Sequence, residues 1–273
     1  TRLRSIAIRS LSAPASPREL GFYDEPGFFA DEVDVVGEYA YVASYDGLLV
    51  VDVSTPSAPR GVGSLEGITL AGVQVEGSYA FVAGYSDSGP DQGGLHVVDI
   101  SAPSAPRQAG FIPVRGAAGN TNAVEAEIVV VGDRAYVAVS GLGLQVIDIS
   151  PAYFPHEVGF TQTPGNASDV RVVGRHAYVA AGESGLRVID VSTPSAPREV
   201  GHCAPIGTAL GVYIAGQFAY VTTPNAGLWV IDVSVPSAPR EVGLVNIPGR
   251  AAGIHVVGDY AYVVTWDAGL RVI

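Results

Sequence analysis

The chain has 273 residues, 48% of them hydrophobic, enough to bury a large core in one all-β domain or two smaller domains and unlike a disordered chain. Its fifteen basic residues are all Arg, set against 27 acidic residues, and the net charge of -12 argues against nucleic acid or an anionic membrane surface as a partner, leaving a cation or a basic partner as the better match. One cysteine, Cys203, excludes an internal disulfide or a cysteine zinc site, and no run approaches the roughly 20 apolar residues of a membrane-spanning helix.

In chain order, the first recognisable element is "IRSLSAPASPRELGF" at Ile8 to Phe22, which reads as the second half of a unit. The first complete unit follows, with "VVGEYAYVA" around Gly37 and then "VVDVSTPSAPR" from Val50 to Arg60. The same pair of elements recurs. The first returns as "VEGSYAFVA", "VVGDRAYVA", "VVGRHAYVA", "IAGQFAYVT" and "VVGDYAYVV", and the second as "HVVDISAPSAPR", "QVIDISPAYFPH", "RVIDVSTPSAPR" and "WVIDVSVPSAPR", with a sixth copy reaching only "RVI". The glycines of the first element are Gly37, Gly77, Gly132, Gly174, Gly216 and Gly258, giving spacings of 40, 55, 42, 42 and 42. A period near 42 built from short β-branched and aromatic runs, bounded by Gly, Pro, Ser or Asn and lacking amphipathic helices, predicts propeller blades.

Within one unit the pattern predicts four antiparallel strands, for example Val170 to Val173, Ala177 to Ala181, Leu186 to Val191 and a fourth from Glu199. The first turn carries a glycine that supplies positive φ, and the prolines of the third turn, which cannot donate to a ladder, sit outside the strands. The expected fold is therefore an all-β, six-bladed β-propeller of four-stranded antiparallel blades, a single domain over residues 1–273. Residues 1–29 are expected to complete the last blade and lead into the first, so that N- and C-terminal segments pair in one blade. Ile6 to Leu11 and Leu270 to Ile273 both resemble a third strand, and one blade has room for only one of them. A chain that starts at Thr1 and contains no Met reads as processed or trimmed, with any leader or anchor outside it.

The pattern Leu-x-Val-(Val/Ile)-Asp, at Leu48 to Asp52, Leu95 to Asp99, Leu144 to Asp148, Leu186 to Asp190 and Leu228 to Asp232, resembles the LVIVD repeat family over nearly the whole chain. The resemblance implies a bacterial or archaeal secreted or surface-attached propeller and implies no activity. Ser10 stands where the pattern has Asp, and "PAYFPH" replaces "TPSAPR" in the third unit.

Asp52, Asp99, Asp148, Asp190 and Asp232 recur in the same place and are expected to be structural, accepting backbone N–H groups or a serine hydroxyl at the entry to the third turn, with Arg60 and its counterparts close by. Function is expected where the chain stops repeating: the connectors between units and the second turns, which strand order places on one face. There Tyr23, Tyr45, Asp46, Tyr85, Trp266 and Asp267 are candidate ligand contacts, the rings covering an apolar sugar face or a peptide side chain and the acids accepting hydrogen bonds. Glu32, Glu127 and Asp169 open innermost strands, where hard oxygen ligands would suit Ca²⁺ or Mg²⁺; in the other reading the same acids accept inner-strand amides. Asp87 and Asp91, among glycines in "SDSGPDQGG", form a second candidate ion site.

No catalytic set is read. The five histidines have no metal-binding spacing, His202 and Cys203 are strand neighbours that point to opposite faces, and there is no nucleophile elbow or phosphate loop. The expected function is an extracellular or cell-surface binding module for a glycan, a protein segment or a cation-bridged partner. A structural or assembly protein of a surface layer, filament or larger surface polypeptide stands second, and a carboxylate hydrolase at the channel mouth third.

Overall fold

The structure, a computed structural model, describes residues 5–10, 18–24, 30–85, 93–115, 127–204 and 207–273. These residues form strands and turns, with no helix among them. In chain order β1 and β2 are Ser5–Ser10 and Arg18–Asp24; β3 to β6 are Ala30–Val36, Tyr39–Ser44, Gly47–Asp52 and Arg60–Glu66; β7 to β10 are Thr69–Glu76, Tyr79–Tyr85, Gly93–Asp99 and Arg107–Pro113. They continue with β11 to β14 at Glu127–Val131, Arg134–Val139, Gly143–Asp148 and His156–Gln162, and β15 to β18 at Asp169–Val173, His176–Ala180, Leu186–Asp190 and Arg198–Cys203. Next come β19 to β22 at Gly211–Ala215, Phe218–Thr223, Gly227–Asp232 and Arg240–Val245, and finally β23 to β25 at Ala251–Val257, Tyr260–Thr265 and Gly269–Val272.

Each group from β3 onward is an antiparallel sheet in chain order, five of four strands and the last, β23–β24–β25, of three. The four strands expected in the fourth repeat lie within a residue or two of β15 to β18. By contact density the chain divides into two compact units, residues 1–134 with 148–156, and residues 135–147 with 157–273.

At the termini β1 pairs with β2, and β25 pairs with β24 in the third-strand place of the sixth repeat.

Two glycine positions show how the repeat sets its geometry. The first and second strands of every repeat are joined by a two-residue loop that starts at the recurring glycine, Gly37 in the first repeat, and all six of these glycines have φ between 57° and 62°, a conformation open to Gly and costly for other residues. The fourth-strand glycine has a different role. A Cβ on Gly63 would lie 2.3 Å from the Pro103 carbonyl oxygen, and one on Gly201 would lie 2.2 Å from that of Pro236, so the proline turn of the next repeat rests directly on the strand backbone.

In the first repeat the second and third strands bury both faces, which is why they read as unbroken apolar runs. One face of the first repeat (Tyr41, Ala43, Leu48, Val50) packs against Val73, Val75, Ala80, Val82 and Val98 of the second. The same contact recurs where Tyr178, Leu186 and Val188 of the fourth repeat meet Val212, Ala219, Val221 and Trp229 of the fifth. Within each unit, sheet-on-sheet layers between consecutive repeats thus form the core.

Candidate functional site

The recurring aspartates form a clasp. Asp52 Oδ1 accepts the Ser54 N–H at 2.9 Å and the Ser54 hydroxyl at 2.6 Å, while Oδ2 accepts Arg60 Nε at 3.1 Å and Nη2 at 2.8 Å. Asp232 repeats this with the Ser234 N–H and Arg240, and Asp99 with the Ser101 N–H and Arg107. Hydrogen bonds to the serine hydroxyl first, and then to the guanidinium or the serine N–H, hold the carboxyls of Asp52, Asp99 and Asp232 down to about 2. Asp190 is lowered for the same leading reason, with Ser192. In the third repeat His156 occupies the Arg60 position, and the clasp is completed from another strand: Arg134 Nη1 lies 2.8 Å from Asp148 Oδ2, and the Ser150 N–H donates to Oδ1 at 2.8 Å. The sequence signals this in "GDRAYVA", where Arg replaces the Tyr, Phe or His of the other copies.

The innermost-strand acids join one repeat to the next. Glu32 Oε2 accepts the Val73 N–H at 2.8 Å and Asp34 Oδ2 accepts that of Val75 at 2.7 Å. Gln74 serves likewise, taking the Val130 N–H at 2.6 Å and donating to the Val130 carbonyl at 3.2 Å. In the second unit Asp169 Oδ2 accepts the Val212 N–H at 2.7 Å, and its other oxygen lies 3.0 Å from Arg171 Nη1. Glu32 and Asp169 are therefore amide acceptors. Glu127 opens β11 and is half-buried, Asp87 and Asp91 lie outside the described residues, and among the described residues no group of three or more His, Cys, Asp or Glu is arranged to hold a metal ion.

In the first and sixth repeats the second-turn loop is pinned by a hydroxyl at the end of the second strand. Ser44 Oγ donates to the Gly47 carbonyl at 2.8 Å, and Thr265 Oγ1 to that of Gly269 at 2.8 Å while accepting the Ala268 N–H at 3.1 Å. This fixes the loop base and presents its tip. At the sixth-repeat tip Trp266 is 59% exposed, and the Arg250 guanidinium lies over its ring at 4.5 Å. The Arg250 N–H donates to Asp267 Oδ1 at 2.8 Å and its carbonyl accepts the Trp266 N–H at 3.0 Å. Trp266, Asp267 and Arg250 thus form one exposed cluster, in which the sequence does not pair Arg250 with Trp266 because the two lie 16 residues apart.

The other candidates are placed separately. Tyr23 is half-buried and packs against Ala40, Val42, Leu49 and Val51, its hydroxyl close to Gly61, which makes it a packing residue. Tyr45 is exposed and its carbonyl accepts Thr69 Oγ1 at 2.9 Å; Asp46 is exposed beside it, its N–H donating to Ser44 Oγ at 3.3 Å. Tyr85 ends β8. Burial pushes the Cys203 thiol up, and His202 faces Glu199 at 3.3 Å, so the two adjoining residues form no activated pair.

The model of the LVIVD repeat matches residues 29–66, 70–111, 125–163, 164–204, 206–247 and 248–273. No curated protein matches the chain. Among solved structures, a functionally unknown protein from Desulfotomaculum acetoxidans DSM 771 is similar at 12% identity and a TM-score of 0.75, over 98% of this chain and 91% of that one. A chain of the mitotic checkpoint complex is similar at 12% identity and a TM-score of 0.76, over 98% and 82%. The β-propeller domain of Cps50 (Swd1) from Myceliophteria thermophila is similar at 15% identity and a TM-score of 0.70, over 93% and 84%. At these identities the likeness establishes the fold, a β-propeller, and nothing about ligands.

Proposed function

The chain belongs to the LVIVD repeat family, and on that footing we propose that it is a binding module, displayed outside the cell or on its surface, that takes a protein segment on the loop cluster of Trp266, Arg250 and Asp267. The observation that carries this reading is the exposure of Trp266: of the two tryptophans in the chain, Trp229 is 2% exposed and packed in the core, whereas Trp266 stands at a loop tip with a guanidinium over one face. An exposed, pre-ordered Trp–Arg pair is the side-chain combination that dominates binding energy at protein interfaces. A glycan suits the cluster less well, because Asp267 already spends one carboxylate oxygen on the Arg250 amide.

The test is panning of a displayed peptide library against the whole chain, with a glycan array in parallel. Enriched peptides are expected to bind the wild type and to weaken at least about tenfold, roughly 1.4 kcal/mol, with Trp266→Ala or Arg250→Ala at unchanged thermal stability. Absence of enrichment, or peptides indifferent to both substitutions, refutes the reading; glycans that depend on Trp266 would replace the protein segment as ligand. Display is tested by protease accessibility on intact source cells.

A further inference from the structure

The third turn of a repeat has two tip residues that face water in every copy: Ser57 and Ala58, Ser104 and Ala105, Ser195 and Ala196, and Ser237 and Ala238 are all exposed, in both compact units. In the third repeat the same two places hold Tyr153 and Phe154, 58% and 71% exposed. Their exposure is therefore a property of the turn itself. This turn belongs to the first unit and rests on β10 of that unit, where a Cβ on Gly110 would run into the Ala152 carbonyl oxygen and lie 3.2 Å from Tyr153 Cα. The Phe154 N–H closes it by donating to the Pro151 carbonyl at 2.9 Å, and the two rings meet edge to face with centroids 5.3 Å apart. Folding does not require the rings, because the other four copies close the same turn with the same hydrogen bond from an Ala N–H. Two large side chains set side by side in water mark a contact surface instead.

A second change accompanies the rings. In the first, second, fourth and fifth repeats the clasp guanidinium stands at the end of the turn on a side chain 73–78% exposed; in the third, His156 takes that place and the guanidinium comes from Arg134, whose side chain is 29% exposed. The turn that gains two rings is thus the one from which the exposed cation is withdrawn. Exposed Asp133 meets it at its entry, its carbonyl accepting the Ile149 N–H at 3.1 Å. An aromatic face attracts a cation, and a fixed guanidinium beside it would repel an incoming one. The chain as a whole carries a net charge of -12, which draws a basic partner. We propose that the Tyr153 and Phe154 turn is a second binding site, which takes an arginine or lysine side chain of a basic protein segment against its two rings. It is separate from the Trp266 loop, where Arg250 already lies over the ring, and does not rest on the reading of that loop.

The test pans a displayed peptide library against the whole chain carrying Trp266→Ala, so that the other loop does not contribute, with counter-selection on the same chain carrying Tyr153→Ser and Phe154→Ala as well. Enriched peptides are expected to carry Arg or Lys and to weaken at least about tenfold with the double substitution at unchanged thermal stability. They are expected to weaken also with His156→Arg, which keeps both rings and returns the exposed cation, and to lose affinity as salt rises from about 50 to 500 mM. Absence of enrichment, enriched peptides without a cationic residue, or binding indifferent to His156→Arg overturns the proposal and leaves the Trp266 reading standing. Binding to phosphatidylcholine vesicles, or self-association in sedimentation velocity, that disappears with the double substitution would give the rings to a lipid surface or a second copy and overturn it likewise. Should the double variant fail to fold, Phe154→Ala alone supplies the comparison.

Discussion

Replacing Gly201 by Ala tests how tightly one repeat rests on the next. The added Cβ would stand 2.2 Å from the Pro236 carbonyl oxygen, 3.0 Å from Pro239 Cδ and 3.0 Å from the Ser237 carbonyl carbon. Two of these contacts are backbone atoms of a turn that is closed by the Ala238 N–H to Val235 carbonyl hydrogen bond at 2.8 Å and anchored at Asp232, so no side chain can rotate away to relieve them. The turn must move by about 1 Å, and overpacking of this kind costs about 1–3 kcal/mol. For a chain of this size that corresponds to a fall in Tm of about 2–12 °C. Gly243 is the internal control, because it holds the same place in β22 but a Cβ there meets nothing nearer than Val230 Cβ at 3.7 Å. Gly243→Ala is expected to be neutral or stabilising by up to about 1 kcal/mol, through the smaller entropy of the unfolded chain. Urea titration and calorimetry of both variants measure the difference. Equal destabilisation of the two would refute the close-approach argument, as would an unperturbed Gly201→Ala.

Further outcomes follow from the clasp and from a buried histidine. Arg134→Gln is expected to lower Tm by about 1–4 °C, and adding His156→Arg to restore it by supplying the guanidinium from the position used in the other repeats; a double variant no better than the single one would show that the clasp is not interchangeable. His96 is buried against Phe111, with ring centroids 4.6 Å apart, and burial, partly offset by Gln108, lowers it from 6.5 to about 4. The unfolded chain therefore binds a proton that the folded chain refuses between these values, so stability is complete above pH 6.5 and falls by about 3 kcal/mol as pH drops to 4. His96→Leu, which places there the residue found at the equivalent Leu49, is expected to remove most of that loss in pH-dependent urea melts. The clasp aspartates act in a lower window, their contribution present above 3.8 and lost as pH falls toward 2. A His96→Leu curve parallel to wild type between 6.5 and 4 would sink the assignment.

Much of this protein is decided locally. A glycine required at positive φ, prolines barred from ladders and a β-branched run repeated near every 42 residues leave the chain few alternatives, and the clasp was legible because Asp, Ser and Arg recur at offsets short enough to meet across one turn. What the sequence could not decide depends on residues far apart in the chain. Glu32 and Asp169 read from the sequence either as ion ligands or as amide acceptors, and it is the next repeat, 41 and 43 residues on, that brings an N–H within 2.8 and 2.7 Å of them. Tyr23 reads as a binding ring until packing places it over Ala40 and Val42, and the pairing of Arg250 with Trp266 appears only when the sixth hairpin brings the ring beneath the guanidinium. Sequence reading also left open which terminal segment takes the third-strand place, since β1 and β25 carry the same pattern, and the pairing of β25 with β24 answers it. Periodicity fixes the shape of one repeat through backbone sterics and side-chain alternation; which distant groups each repeat meets is set by tertiary packing.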